Sequence, residues 1–153
     1  MFNWLKPKMP EPAGPAQKIK TFNASDKLIT QNGINGEQGG WRIDSQEKQS
    51  VRLFEVSVSQ IEQCILTYRA QMKSDNVKGK AYLEMWCRLP GRGEFFSKGL
   101  RQPLKGTTNW ATFEVTFYLK KGELPDLIKL NVAFEGSGSV WIKDIELLKI
   151  PLK

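Results

Sequence analysis

Between Lys80 and Arg88 the chain reads KAYLEMWCR, and its residues alternate in kind. Ala81, Leu83, Met85 and Cys87 are apolar, whereas Lys80, Tyr82, Glu84, Trp86 and Arg88 combine aromatic rings with charge. Alternation with a period of two marks a strand with one buried face, so the second set should project away from the core in a single row. An indole and a phenol in such a row can stack on the C–H face of a sugar ring. A carboxylate and a guanidinium beside them can exchange hydrogen bonds with its hydroxyls. Arg69 offers a second guanidinium from the alternating run Cys64–Met72, and Gln71, Tyr118 and Asn131 add polar groups if their strands share the sheet. The candidate ligand-binding set is therefore Arg69, Tyr82, Glu84, Trp86 and Arg88. The competing expectation is that such cross-strand pairs only stabilise the sheet, or that the segment 90–109 covers them.

Other chemistries are poorly supplied. The chain contains no histidine, which removes histidine bases, Ser-His-Asp triads and His-ligated zinc. Cys64 and Cys87, 23 residues apart, make neither a CxxC pair nor a disulfide framework, and both fall at core-facing positions. Glu84 and Glu114 could share a face as the carboxylate pair that glycoside hydrolysis needs, but Arg88, Arg69 and Lys129 stand ready to neutralise them. Catalysis is not expected, and no cofactor is implied. Gly91/Gly93 and Gly136/Gly138 read as hairpin turns rather than phosphate loops, since no GxxxxGK[ST] occurs. The net charge of +7 places +3 in the first twenty residues. The remainder is dilute and suits solubility better than nucleic-acid binding. Segment 90–109 interleaves Arg92, Lys98, Arg101 and Lys105 with Phe95 and Phe96, a composition that could meet a polyanion. Adjacent phenylalanines more often pin a loop to a core, and that is the expectation here. Of the other tryptophans, Trp41 could join a sugar platform, Trp110 is expected to pack, and Trp141 has outward parity.

These residues need strands to position them. At 153 residues the chain suits one domain. Residues 1–17 hold four of the eight prolines and read as a linker or disordered arm, in which Phe2, Trp4 and Leu5 could dock elsewhere. From Lys18 to Lys153 no helix is expected. Apolar alternation recurs at 64–72, 81–89, 113–119 and 128–134, bounded by the turn sequences SDNVKGK, LPGRGE, LKGTTN, KKGELPD and EGSGS. Seven to ten such strands predict an all-β, antiparallel β-sandwich. In the last strand Val140 and Ile142 differ in parity from Ile145 and Leu147, which predicts a β-bulge near Lys143 and Asp144.

With the strands placed, GTTNWATFEVTFYLKKGELPDLIKLNVAFEGSGSVWIKDIEL resembles the C-terminal half of galactose-binding-like jelly rolls. It is similar in particular to carbohydrate-binding modules found beside glucanases and xylanases. Trp110, Phe113 and Phe117 match one strand motif, and Trp141, Ile142 and Ile145 the final one. The likeness spans about residues 20–150 and implies a jelly-roll sandwich that binds glycan without catalysis. The alternative is a protein-interaction or assembly domain with no sugar ligand. Many such modules hold a structural calcium through an aspartate of the last strand. Here Lys143 takes that place, so no metal is expected, and Asp144 and Asp26 are the remaining candidate ligands. The opening residues contain no apolar stretch of signal-peptide length before the prolines, which predicts a cytoplasmic location. An extracellular one follows instead if Met1 is not the natural start.

Overall fold

A computed structural model describes residues 10–153. Phe2, Trp4 and Leu5 of the expected linker or disordered arm lie outside the described residues. The described residues form nine strands and no helix: β1 (Gln17–Phe22), β2 (Ile34–Glu37), β3 (Gly40–Ser45), β4 (Gln49–Ser57), β5 (Cys64–Leu89), β6 (Gly93–Lys98), β7 (Leu104–Leu119), β8 (Leu127–Phe134) and β9 (Gly138–Pro151). Every pairing is antiparallel. No helix among the described residues is long and apolar enough to cross a membrane. The expected arm, 1–17, is described only from Pro10. There Ala13 N–H donates to Pro151 O at 2.7 Å and Lys153 N–H to Glu11 O at 2.9 Å, which lays Glu11–Ala13 alongside the C-terminus.

The organising element is β5. Its first half, Cys64–Asp75, lies between β7 and β9, while its second half, Ala81–Leu89, lies between β8 and β6. One layer therefore runs β2–β3–β9–β5–β7, with β1 on the same edge of β9 as β3. The other runs β4–β8–β5–β6. SDNVKGK is thus a corner and not a hairpin. Asn76 (φ 53°) and Gly79 (φ 74°) turn the strand there, and its ladder breaks register. The β8–β9 turn packs directly onto this corner. A Cβ at Gly136 would lie 2.4 Å from Lys78 O, and one at Gly138 2.6 Å from Val77 Cα, so both positions require glycine.

The alternation predicted for β5 is met on its inward face: Leu66, Tyr68, Met72, Leu83, Met85 and Cys87 are essentially inaccessible. They join Val132, Ile128, Leu130, Ile142 and Ile145 in one core between the layers. Burying each aliphatic side chain contributes roughly 1.5–3 kcal/mol. Cys64 and Cys87 are free and buried, and burial pushes the Cys87 thiol up to about 12. Trp41 is 5% exposed and packs edge-on against Phe54, with ring centroids 5.6 Å apart, so it belongs to the core and not to a platform. The bulge in the last strand is present. Arg69 faces Glu146 while Gln71 faces Lys143, which inserts one extra residue in β9 where Asp144 adopts φ 53°.

Candidate functional site

The register of β4, β8, β5 and β6 arranges the outer face of their layer as rows crossing the strands. Lys98, Glu84, Asn131 and Arg52 form one row, and Phe96, Trp86, Lys129 and Glu55 the next. Between these rows lies an open groove of about 360 Å³, lined by Ser50, Arg52, Glu84, Trp86, Glu94, Lys129 and Asn131.

Glu84 is its anchor. It is only 5% exposed, a costly place for a carboxylate unless donors surround it. Three do, each from a different residue. Asn131 Nδ2 donates at 3.0 Å, Trp86 Nε1 at 3.1 Å, and Ser50 Oγ also donates, all to Oε1. Burial alone would raise this carboxyl. The bonds from Ser50, Asn131 and Trp86, with the nearby Lys98 charge, outweigh it and hold Glu84 below the usual glutamate value. Glu84 is thus an anion near neutral pH, and among the described residues no side chain donates to its Oε2. The same bond fixes Trp86, whose half-buried indole packs against Phe96 at 5.1 Å with a 50° tilt. Lys129 reaches across β5 to Glu94 at 2.7 Å and closes one side of the groove. Asn131 Oδ1 is buried without a partner.

The five residues singled out from the sequence part company here. Glu84 and Trp86 line the groove. Tyr82 is in their row but only 5% exposed, and the chain continues past β6 at its side, with Gly99 N–H donating to Leu83 O at 2.8 Å. A ring sealed in this way presents no stacking face, which corrects the role expected of Tyr82. Arg88 projects from the row but is held in a two-pronged pair with Asp126, at 2.8 and 3.1 Å. Arg69 lies on the other layer. It pairs with Glu114 at 3.3 Å and reaches Glu146 at 3.8 Å. Gln71 and Tyr118 share that layer, whereas Asn131 does not. The expected common surface is thus divided between opposite faces, because β5 turns its corner between residues 75 and 81. The same division separates Glu84 from Glu114, so they form no carboxylate pair.

Ser50, Arg52 and Glu94 are groove residues that the sequence reading passed over. Their signal was the alternation of Ser50 and Arg52 with Val51 and Leu53 in β4, and the strand character of 93–98. Segment 90–109 also differs from expectation. It contains β6 and the start of β7, and Phe95 and Phe96 are 42% and 53% exposed instead of pinned to the core. Trp110, expected to pack in the core or on the sheet, is half-buried and lies with Trp141 beside Lys73 on the outer side of the other layer. The residues present do not fit a calcium ion. Lys143 adjoins Asp144, Asp26 accepts from Asn23 N–H at 2.8 Å to close a turn, and no cluster of three or more potential ligands occurs among the described residues.

No protein-family model matches the sequence, and no curated protein matches it. Solved structures do match in fold. The CBM22-1 xylan-binding domain from Paenibacillus barcinonensis Xyn10C superposes with a TM-score of 0.52 at 8% identity, over 92% of this chain and 99% of that one. A chain of the infectious bursal disease virus Gx strain gives 0.51 at 12% identity, over 90% of this chain and 33% of that one. Identities this low speak for architecture alone. The chain has the jelly-roll β-sandwich fold found in carbohydrate-binding modules.

Proposed function

We propose that this protein is a non-catalytic glycan-binding module whose ligand lies in the groove over β4, β8, β5 and β6. The observation that carries the reading is the Glu84 carboxylate, buried and held as an anion by three donors beside the indole of Trp86. Trp86 supplies an apolar face for sugar C–H groups. Glu84 Oε2 accepts from a hydroxyl, while Arg52 and Lys129 donate from the rim. A carboxyl held ionised is a poor general acid, and Glu94, the other groove carboxylate, is bound to Lys129. Binding without turnover is the consistent chemistry.

Affinity electrophoresis in gels containing xylan, mannan or galactan tests this. At least one gel should retard the wild type, and Trp86→Ala should remove the retardation while the protein still unfolds cooperatively as a folded domain. A Trp86→Ala protein that is still retarded sinks the proposal, as does a wild type that no gel retards.

One observation favours a second reading, self-association. Phe95, Phe96 and Leu100 are each exposed, the first two on the edge strand β6 and the third just beyond it. Edge strands with apolar side chains are templates for pairing with another chain. A dimer by light scattering, lost in Phe95→Ser, would support this reading.

A further inference from the structure

The layer opposite the groove carries a second ordered array. Lys73 of β5 faces Trp141 of β9, and Trp141 faces Arg42 of β3. Trp110 of β7 completes the line. Lys73 Nζ lies 4.7 Å from the Trp141 ring and 5.5 Å from Trp110, Lys143 Nζ lies 4.2 Å from Trp110, and the Arg42 guanidinium 5.8 Å from Trp141. Aromatic rings and cations therefore alternate across four adjacent strands. The indole of Trp141 is fixed by donating Nε1–H to Glu37 at 2.6 Å. Arg42 is engaged by Asp44 through three hydrogen bonds, and Asp75 accepts from Thr107 at 3.2 Å. Asp44 is thus committed to Arg42, whereas Asp75 keeps its charge and faces only a hydroxyl. Lys73 and Lys143 are different: among the described residues neither has a carboxylate within 4.0 Å, and both are half-exposed. Beside them a cleft of about 360 Å³ adds the hydroxyls of Thr107 and Thr108 and the amide of Asn109, with the Asp75 carboxylate on its wall beside Thr107.

We infer that this face is a second binding site, for a glycan chain bearing carboxylate groups. The two ammoniums held against Trp110 meet carboxylates, the indoles take the C–H faces of the intervening sugar rings, and the cleft hydroxyls and amide bond their hydroxyls. A cation–π contact is worth about 0.5–1 kcal/mol at an exposed site. A carboxylate arriving above Lys73 or Lys143 adds a charge-assisted bond without breaking an existing ion pair. Neutral glycans cannot use this feature, so this site and the groove should differ in ligand. The inference stands apart from the groove, which lies on the opposite face.

The test is affinity electrophoresis in polygalacturonate, a polyuronate, run beside the xylan gels. The wild type should be retarded at low salt and less so near 0.1 M, where the Debye length is about 10 Å. The double variant Lys73→Gln/Lys143→Gln should lose at least about tenfold in affinity, a change of roughly 1.4 kcal/mol, with its melting temperature unchanged. Trp110→Ala should weaken binding as well. Should it unfold, the double variant carries the test, because both lysines lie on the outer face. Trp86→Ala should bind polygalacturonate like the wild type, and the lysine double variant should keep any neutral-glycan retardation. The inference is overturned if polygalacturonate does not retard the wild type, or if the lysine double variant binds it undiminished. It is also overturned if single-stranded DNA is retained equally well, since the face would then be a general polyanion surface.

Discussion

Replacing Glu84 by alanine removes the acceptor on which Ser50, Trp86 and Asn131 converge. The cost differs among the three donors. Asn131 is 4% exposed and its Oδ1 already lacks a partner, so an unpaired Nδ2 there should cost about 1–3 kcal/mol. Ser50 is exposed and Trp86 half-buried, so water in the vacated groove recovers much of theirs. A total near 3 kcal/mol follows, which for a domain of this size lowers the melting temperature by roughly 6–12 °C. Glu84→Gln keeps an acceptor and loses only the charge assistance, about 1 kcal/mol or roughly 2–4 °C. The pH dependence has a definite sign. The folded protein holds this carboxyl below its unfolded value, so its stabilisation is present above about pH 4.3 and is lost as the pH falls through the folded value. Thermal melts of wild type and Glu84→Gln should therefore differ at neutral pH and converge in acid. A gap that stays constant with pH, or a Glu84→Ala melting point within about 2 °C of wild type, would refute the reasoning.

Other substitutions probe the frame. At Gly40 an added Cβ would sit 2.1 Å from Ile142 O and 2.7 Å from Lys143 Cβ, so Gly40→Ala should push β3 off β9 and cost about 3 kcal/mol or more by denaturant unfolding. Met85→Ala, at a site with no solvent exposure, should cost about 2–5 kcal/mol in the same assay. Asp144→Val should destabilise by about 1–2 kcal/mol, because a β-branched residue resists the left-handed backbone that Asp144 adopts, while Asp144→Gly should be tolerated. The Cys87 thiol, pushed up to about 12 by burial, should react with a disulfide reagent only after denaturation.

Strand parity was legible because burial is one-sided: Leu66, Met72, Leu83 and Met85 face the core as their spacing requires, and the parity change between Ile142 and Ile145 located the bulge at Asp144. Which strands lie side by side was not legible, since alternation says where a side chain points and not which layer owns it. Arg69 and Glu84 each point away from the core by the alternation of their own run, yet a corner between residues 75 and 81 sends them to opposite faces of the molecule. Tyr82 shows a second limit. Its outward parity is real, yet it is only 5% exposed, and burial on the outer side of a strand leaves no period in that strand's sequence. The Trp110–Lys73–Trp141 array escaped because it is assembled from three strands whose adjacency alternation does not reveal.

Because one continuous strand serves as a central member of both layers, neither layer can be completed while the other is missing. Detaching β7 and β9 would strip the first half of β5 of its neighbours, and detaching β8 and β6 would strip the second. Unfolding should therefore be cooperative across the whole molecule, with the slowest amide exchange on both arms of β5 proceeding at a common rate. A nick at the corner, near Asn76, would relax that linkage and let the two arms exchange independently.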